Sequence, residues 1–163
     1  MILFVHMLFG AAVGSSMKYI PLAIIMAFLS HYFLDFIPHI DYDVRTKKGK
    51  YLYGRLPAIT KVFFDMCLGF LLIFIFSKST LPTGKQTIIY LYAIIAIIPD
   101  SLTVLSGIFP NKILKAHTHI HTQKVHFLKE DPSAGSGQEK ISRFWRIFSQ
   151  IATVIISIIL IRL

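Results

Sequence analysis

Cysteine is almost absent: Cys67 is the only one in 163 residues. That excludes an internal disulfide, and nothing in the fold can rest on an oxidising compartment. Charge is scarce as well, at 15% of the chain, where an ordinary soluble domain has roughly a quarter. Acidic residues number only 8, beside 17 lysines and arginines. So little charge argues against a water-soluble globule. Intrinsic disorder is excluded from the other side, because 14 Phe, 7 Tyr and a 55% hydrophobic content offer too much apolar surface. The alternating pattern of a barrel strand is missing, and so is any internal repeat.

What is present is apolar and continuous, with a mean hydropathy of +0.65. Backbone polar groups in lipid must be satisfied within each segment, so the composition predicts an all-α integral membrane bundle in a single domain. Four segments approach the roughly 20 residues that cross a hydrocarbon core: 20–38, 58–77, 87–109 and 144–163. A fifth, 2–16, is shorter and reads as a tight span, a re-entrant helix or an interfacial one. It lacks the basic start and small-residue cleavage site of a signal peptide. Four to five transmembrane helices are therefore expected.

The basic residues orient them. Arg45, Lys47, Lys48, Lys50, Arg55 and Lys61 lie along or beside the loop 39–57. Lys112, Lys115, Lys124, Lys129, Lys140, Arg143 and Arg146 lie along or beside the loop 110–143. With five spans these share one side, and only Lys18, Lys78, Lys85 and Arg162 fall on the other. The positive-inside rule then predicts a cytoplasmic N-terminus and an outer C-terminus. Nucleic acid is not an expected partner, because the basic residues are split between two loops with few aromatics among them.

Ionisable groups inside spans are costly and mark function. His31, Asp35 and His39 are spaced four apart, so a continuous helix carries them as one stripe. Imidazole and carboxylate from adjacent turns can share a metal ion. Asp41, beyond Pro38, is placed to fold back as a further ligand or an orienting group. In this topology His31, Asp65 and Asp100 lie about 10–13 Å from the cytoplasmic ends of three helices. His6 is shallower on the same side. Next comes a histidine-rich segment with His117, His119, His121 and His126. A strand would put the first three on one face, whereas His121 and His126 bracket a helical turn, so spacing leaves the ligands among them open.

Each residue also has a plainer explanation. An isolated His31 would be a core histidine bonded to a neighbouring carbonyl. Asp65 can pair with Lys61 one turn away. Asp100 after Pro99 can cap a kink. The histidine segment and His6 can be solvated or interfacial. The stripe of His31, Asp35 and His39 is hardest to dismiss, because an inert helix would have to bury Asp35 with no lysine in reach on that face.

At these residues the chain resembles the YdjM-like family of membrane-bound metal-dependent hydrolases, small bacterial inner-membrane proteins with an S-H-x-x-L-D-x-I-P-H segment. The matching pieces are His6 with Gly10 and Gly14, Ser30 through Asp41, Pro99-Asp100, and His117 to His126. The H-R-x-x-T-H-S motif usual in that family is missing. The resemblance implies a bacterial inner-membrane location and a divalent metal, zinc or else manganese. It also implies hydrolysis of a phosphodiester or related ester, as in zinc-dependent phospholipases C. In that scheme His31, Asp35, His39, Asp100, His117 or His121, and His6 hold metal, while Asp41 or Asp65 bridges, orients or acts as base. The depth of the site suits a lipid headgroup or lipid-linked substrate. The competing expectations are a divalent-metal transporter, which a chain of this size would have to build as an oligomer, and a metal-binding membrane protein without activity.

Overall fold

The computed structural model describes residues 2–39, 56–78, 83–109, 111–121 and 143–163. Every element among them is helical: α1 (Leu3–Ser15), α2 (Ile20–Asp35), α3 (Leu56–Ser77), α4 (Thr83–Ala96), α5 (Ile98–Ile108), α6 (Lys112–Ile120) and α7 (Arg143–Arg162). Three stretches are long and apolar enough to cross a membrane: Thr60–Ser77, Gly84–Ser106 and Phe144–Arg162. The shorter apolar helices α1 and α2 complete the bundle.

Large apolar side chains point outward and polar ones inward. On α2, Leu22, Ile25, Leu29, Phe33 and Phe36 follow helical spacing on the exposed face, while Ala23, Ala27, His31 and Asp35 face in. α3 likewise exposes Phe63, Phe64, Leu68, Leu71 and Phe74, and α7 exposes Phe148, Ile151, Ile155 and Ile159. Apolar surface on this scale would drive aggregation in water. In lipid it is the solvated face, and the protein is a membrane protein.

The shortest apolar helix is the hub. α1 packs against α2, α3, α4 and α7 and is buried nearly all round, from Leu3 to Gly14. Its sequence permits this because lipid supplies no hydrophobic drive between helices, so close approach must do the work. A Cβ at Gly10 would overlap Ala96 Cβ, and one at Gly14 would overlap the Tyr92 ring, so these two glycines set the contact with α4. Gly69 on α3 leaves room for Met7 in the same way.

Two expected boundaries change. α2 stops at Asp35 rather than Pro38, because the residue before a proline is pushed out of helical conformation. Its 16 residues span about 24 Å, short of the roughly 30 Å hydrocarbon core. The expected span 87–109 is two helices, broken at Ile97, with Pro99 in the first turn of α5. After α5 the chain turns back: Asn111 caps α6 by accepting from Ile113 N–H at 3.0 Å. α6 then runs along α5, tied by a Thr118–Ser106 hydroxyl bond of 2.7 Å. At the same end of the bundle, the Ser149 hydroxyl of α7 donates to Pro38 O just after α2.

Candidate metal centre

Asp35, at the last turn of α2, is the meeting point. Its Oδ2 lies 3.1 Å from His31 Nε2 and 3.0 Å from His121 Nε2. Oδ1 lies 3.3 Å from His6 Nε2 and 3.9 Å from His39 Nε2. Asp100 reaches the same centre, with Oδ1 3.6 Å from His31 Nε2 and 3.9 Å from His121 Nε2. The rings stack as they converge: His6 on His31 at 4.1 Å, His31 on His121 at 5.2 Å, and His121 on His117 at 5.6 Å. His6, His31, Asp35 and His121 are almost wholly buried. The Asp100 side chain is 38% exposed, which makes it the open side of the site among the described residues.

The second nitrogen of each ring decides what the centre can hold. His31 Nδ1 lies 2.8 Å from Ala96 O, which only accepts, so Nδ1 carries a proton and Nε2 is the nitrogen turned to the centre. His39 Nδ1 donates to Ile37 O at 2.6 Å with the same result. The Thr103 hydroxyl donates to Pro99 O at 3.1 Å, leaving its oxygen to accept from His121 Nδ1–H at 3.4 Å. The Nε2 atoms of His31, His39 and His121 therefore face the Asp35 carboxylate. Those of His31 and His121 stand 3.1 Å apart, a spacing that either a shared proton or a bound cation bridges. His6 is fully buried beside them, with Nε2 3.3 Å from Asp35 Oδ1.

Dimensions fit a metal. Ligand atoms of His31, Asp35 and His121 lie within 4.8 Å of one another, as do those of His6, His31 and Asp100. Tetrahedral zinc with bonds of about 2.0–2.1 Å sets neighbouring ligand atoms about 3.3 Å apart. The observed 3.0–3.1 Å separations need only a small adjustment. Imidazole with carboxylate suits zinc or manganese better than calcium or magnesium. Carbonyl and hydroxyl partners on the far nitrogens are the usual support of ligating histidines.

The expected residues divide. His6, His31, Asp35 and Asp100 are brought together, and of the histidines that spacing left open His121 joins them. His39 lies beyond the end of α2, not on a helical stripe, and reaches Asp35 through the turn made by Ile37 and Pro38. His117 belongs to neither close group. It sits behind His121, with Nε2 3.0 Å from Tyr32 Oη. Burial, and then the neighbouring His121 and His31, hold its imidazole below the ordinary range, so the ring is neutral at pH 7. His117 and His121 are one helical turn apart on the inner face of α6, and His119 is exposed, so the alternating strand arrangement is not adopted. Asp65 accepts from Phe4 N–H at 3.2 Å and so caps the first turn of α1 from α3, one turn below His6. Asp41 and His126 lie outside the described residues.

Tyr32, Thr103 and the Ala96 carbonyl are not singled out by the sequence. Pro99 was the one available signal, since a proline marks where helix carbonyls lose their donors. Tyr32→Phe is expected to weaken the attachment of α6 by about 0.5–1.5 kcal/mol, the net worth of one hydrogen bond. Faster hydrogen exchange in the α6 amides, with α4 unchanged, is the result to look for. Equal α6 exchange in both proteins would mean that Tyr32 tethers nothing.

Comparison with protein-family models, with curated proteins and with solved structures finds no match.

Proposed function

We propose that the cluster is a divalent-metal centre and that the protein is a membrane-bound, metal-dependent hydrolase of ester bonds, phosphodiesters in particular. The supporting observation is the convergence itself: Nε2 of His31 and of His121 meet Asp35 while Ala96 O and the Thr103 hydroxyl hold their far nitrogens. His31, Asp35 and His121 hold the ion, zinc or else manganese, with His6 and Asp100 beside them. Bound there, a divalent ion acts as a Lewis acid on the ester and makes water nucleophilic near neutral pH. Asp100, on the open side, meets water and substrate as they enter. The positive-inside pattern supports a cytoplasmic position for this end of the bundle and for the N-terminus, and the family resemblance a bacterial plasma membrane. A site opening at that depth suits a lipid headgroup or lipid-linked substrate. The resemblance to YdjM-like hydrolases supports the same reaction class.

A second reading, divalent-metal transport, draws on α7. Gln150, Thr153 and Ser157 are buried at one-turn intervals and carry a polar stripe beyond the site. Thr153 and Ser157 donate to carbonyls of their own helix, at 2.8 and 2.7 Å. That satisfies their protons and makes the stripe equally a packing device.

The test is elemental analysis of the purified protein followed by assay. About one zinc or manganese per chain is expected, and chelation should lower the melting temperature and abolish hydrolysis of bis-nitrophenyl phosphate. Metal flux in vesicles without hydrolysis would establish the transport reading instead. Protein that neither carries nor takes up a divalent ion sinks both.

A further inference from the structure

α6 faces two ways. Its inner side carries His117 and Thr118, which are tied to α2 and α5. Its outer side carries Ile113 and Ile120, exposed to 77% and 55%, with Ala116 exposed between them. Residues 113, 116 and 120 fall on one helical stripe. Lys112, Lys115 and His119, all exposed, form the adjoining face, and no acidic residue occurs between Lys112 and Ile120. Phe109 before it and Val104 on α5 are exposed apolar groups as well. An apolar stripe flanked by lysines is the form of a helix lying at a membrane interface.

The charge selects the occupant. A second copy on this face would set Lys112 and Lys115 near their own equivalents, in a chain whose net charge is already +9. An acidic soluble partner would answer the lysines and leave the isoleucines without a role. A bilayer with anionic headgroups satisfies both faces, and this protein already lies in a bilayer. We propose that α6 is a binding surface for anionic phospholipid, with Ile113 and Ile120 among acyl chains and the ammonium groups of Lys112 and Lys115 at the phosphates. Because His121 follows directly on this helix, the lipid bound there holds that histidine at Asp35. The lipid surface itself does not depend on what the centre binds.

Quenching by brominated lipid tests this in the full chain. Trp145 is replaced by Phe, Ile113→Trp supplies a reporter on α6, and the protein is placed in phosphatidylcholine vesicles containing brominated phosphatidylglycerol or brominated phosphatidylcholine. Phosphatidylglycerol is expected to quench the reporter in clear preference, and 0.5 M salt to weaken that preference. At about fivefold per lysine, Lys112→Glu with Lys115→Glu should reduce the preference on the order of 30-fold. The milder Lys112→Gln with Lys115→Gln should give the same direction and guards against misfolding. Equal quenching by the two lipids before any charge change overturns the proposal. So does absence of quenching by either, which would mean that α6 faces water or another protein.

Discussion

Asp35→Ala is expected to empty the metal centre. The carboxylate lies within 3.0–3.3 Å of nitrogens from His6, His31 and His121, contributed by three different helices. Asp100 reaches the same group only at longer range, 3.6 Å from His31 and 3.9 Å from His121. Losing a residue that merely orients a ligand costs a metal site 10- to 100-fold. Losing the shared anionic ligand should therefore reduce affinity on the order of 100-fold or more, and bound metal after dialysis should fall to background. Stability gives a second readout. Free metal at about 100 times Kd stabilises a folded protein by about 2.7 kcal/mol, so wild type should melt higher in metal than in chelator. In Asp35→Ala the two melting temperatures should coincide. A variant that keeps stoichiometric metal, or the melting shift, would show that the ion binds elsewhere.

The substitution with the next largest effect lies about one turn along α1 from His6. Gly10→Ala should destabilise the bundle and weaken the centre together. An alanine favours a helix by about 1 kcal/mol over glycine, but overpacking costs typically 1–3 kcal/mol. Here the new methyl would overlap Ala96 Cβ. With the overlap at the costly end of that range, a net loss of up to about 2 kcal/mol is expected on SDS unfolding in mixed micelles. Metal affinity should fall as well, because Ala96 also supplies the carbonyl that holds His31 Nδ1. Ala96→Gly removes the colliding methyl and keeps the carbonyl. The double variant should therefore recover both properties, with a coupling of about 1 kcal/mol or more between the sites. Additive losses would show that the close approach of α1 to α4 does not set the geometry of the centre.

How much of this was legible beforehand differs by residue. His31 and Asp35 are visible because helical periodicity puts positions four apart on one face, and an intramembrane carboxylate needs a partner. His6 and Asp100 are visible through depth alone: counting from the basic ends of their spans puts them in one layer. His39 is visible for a reason that does not hold, since Pro38 ends the helix that would have carried it. For His117, His119 and His121 the pattern supports two periodicities. The choice was made by contacts distant in sequence, Tyr32 with His117 and Thr103 with His121. Asp65 illustrates the opposite limit. A carboxylate at the correct depth went to the free N–H groups of α1, and nothing local announces which helix end will arrive beside it.

The sequence by itself therefore determines the solvent and the layer. Scarce charge and long apolar runs require a membrane bundle, and the bias of lysine and arginine predicts which end of it faces the cytoplasm. Tertiary structure decides which groups of that layer touch and which of their atoms are turned to the centre. Those outcomes depend on Gly10 and Gly14 letting α1 reach α4, on Pro99 breaking the fourth expected span, and on α6 folding back along α5. Periodicity acts over one or two turns of a helix. The convergence on Asp35 joins residues 6, 31, 35, 100 and 121, and only packing spans those distances.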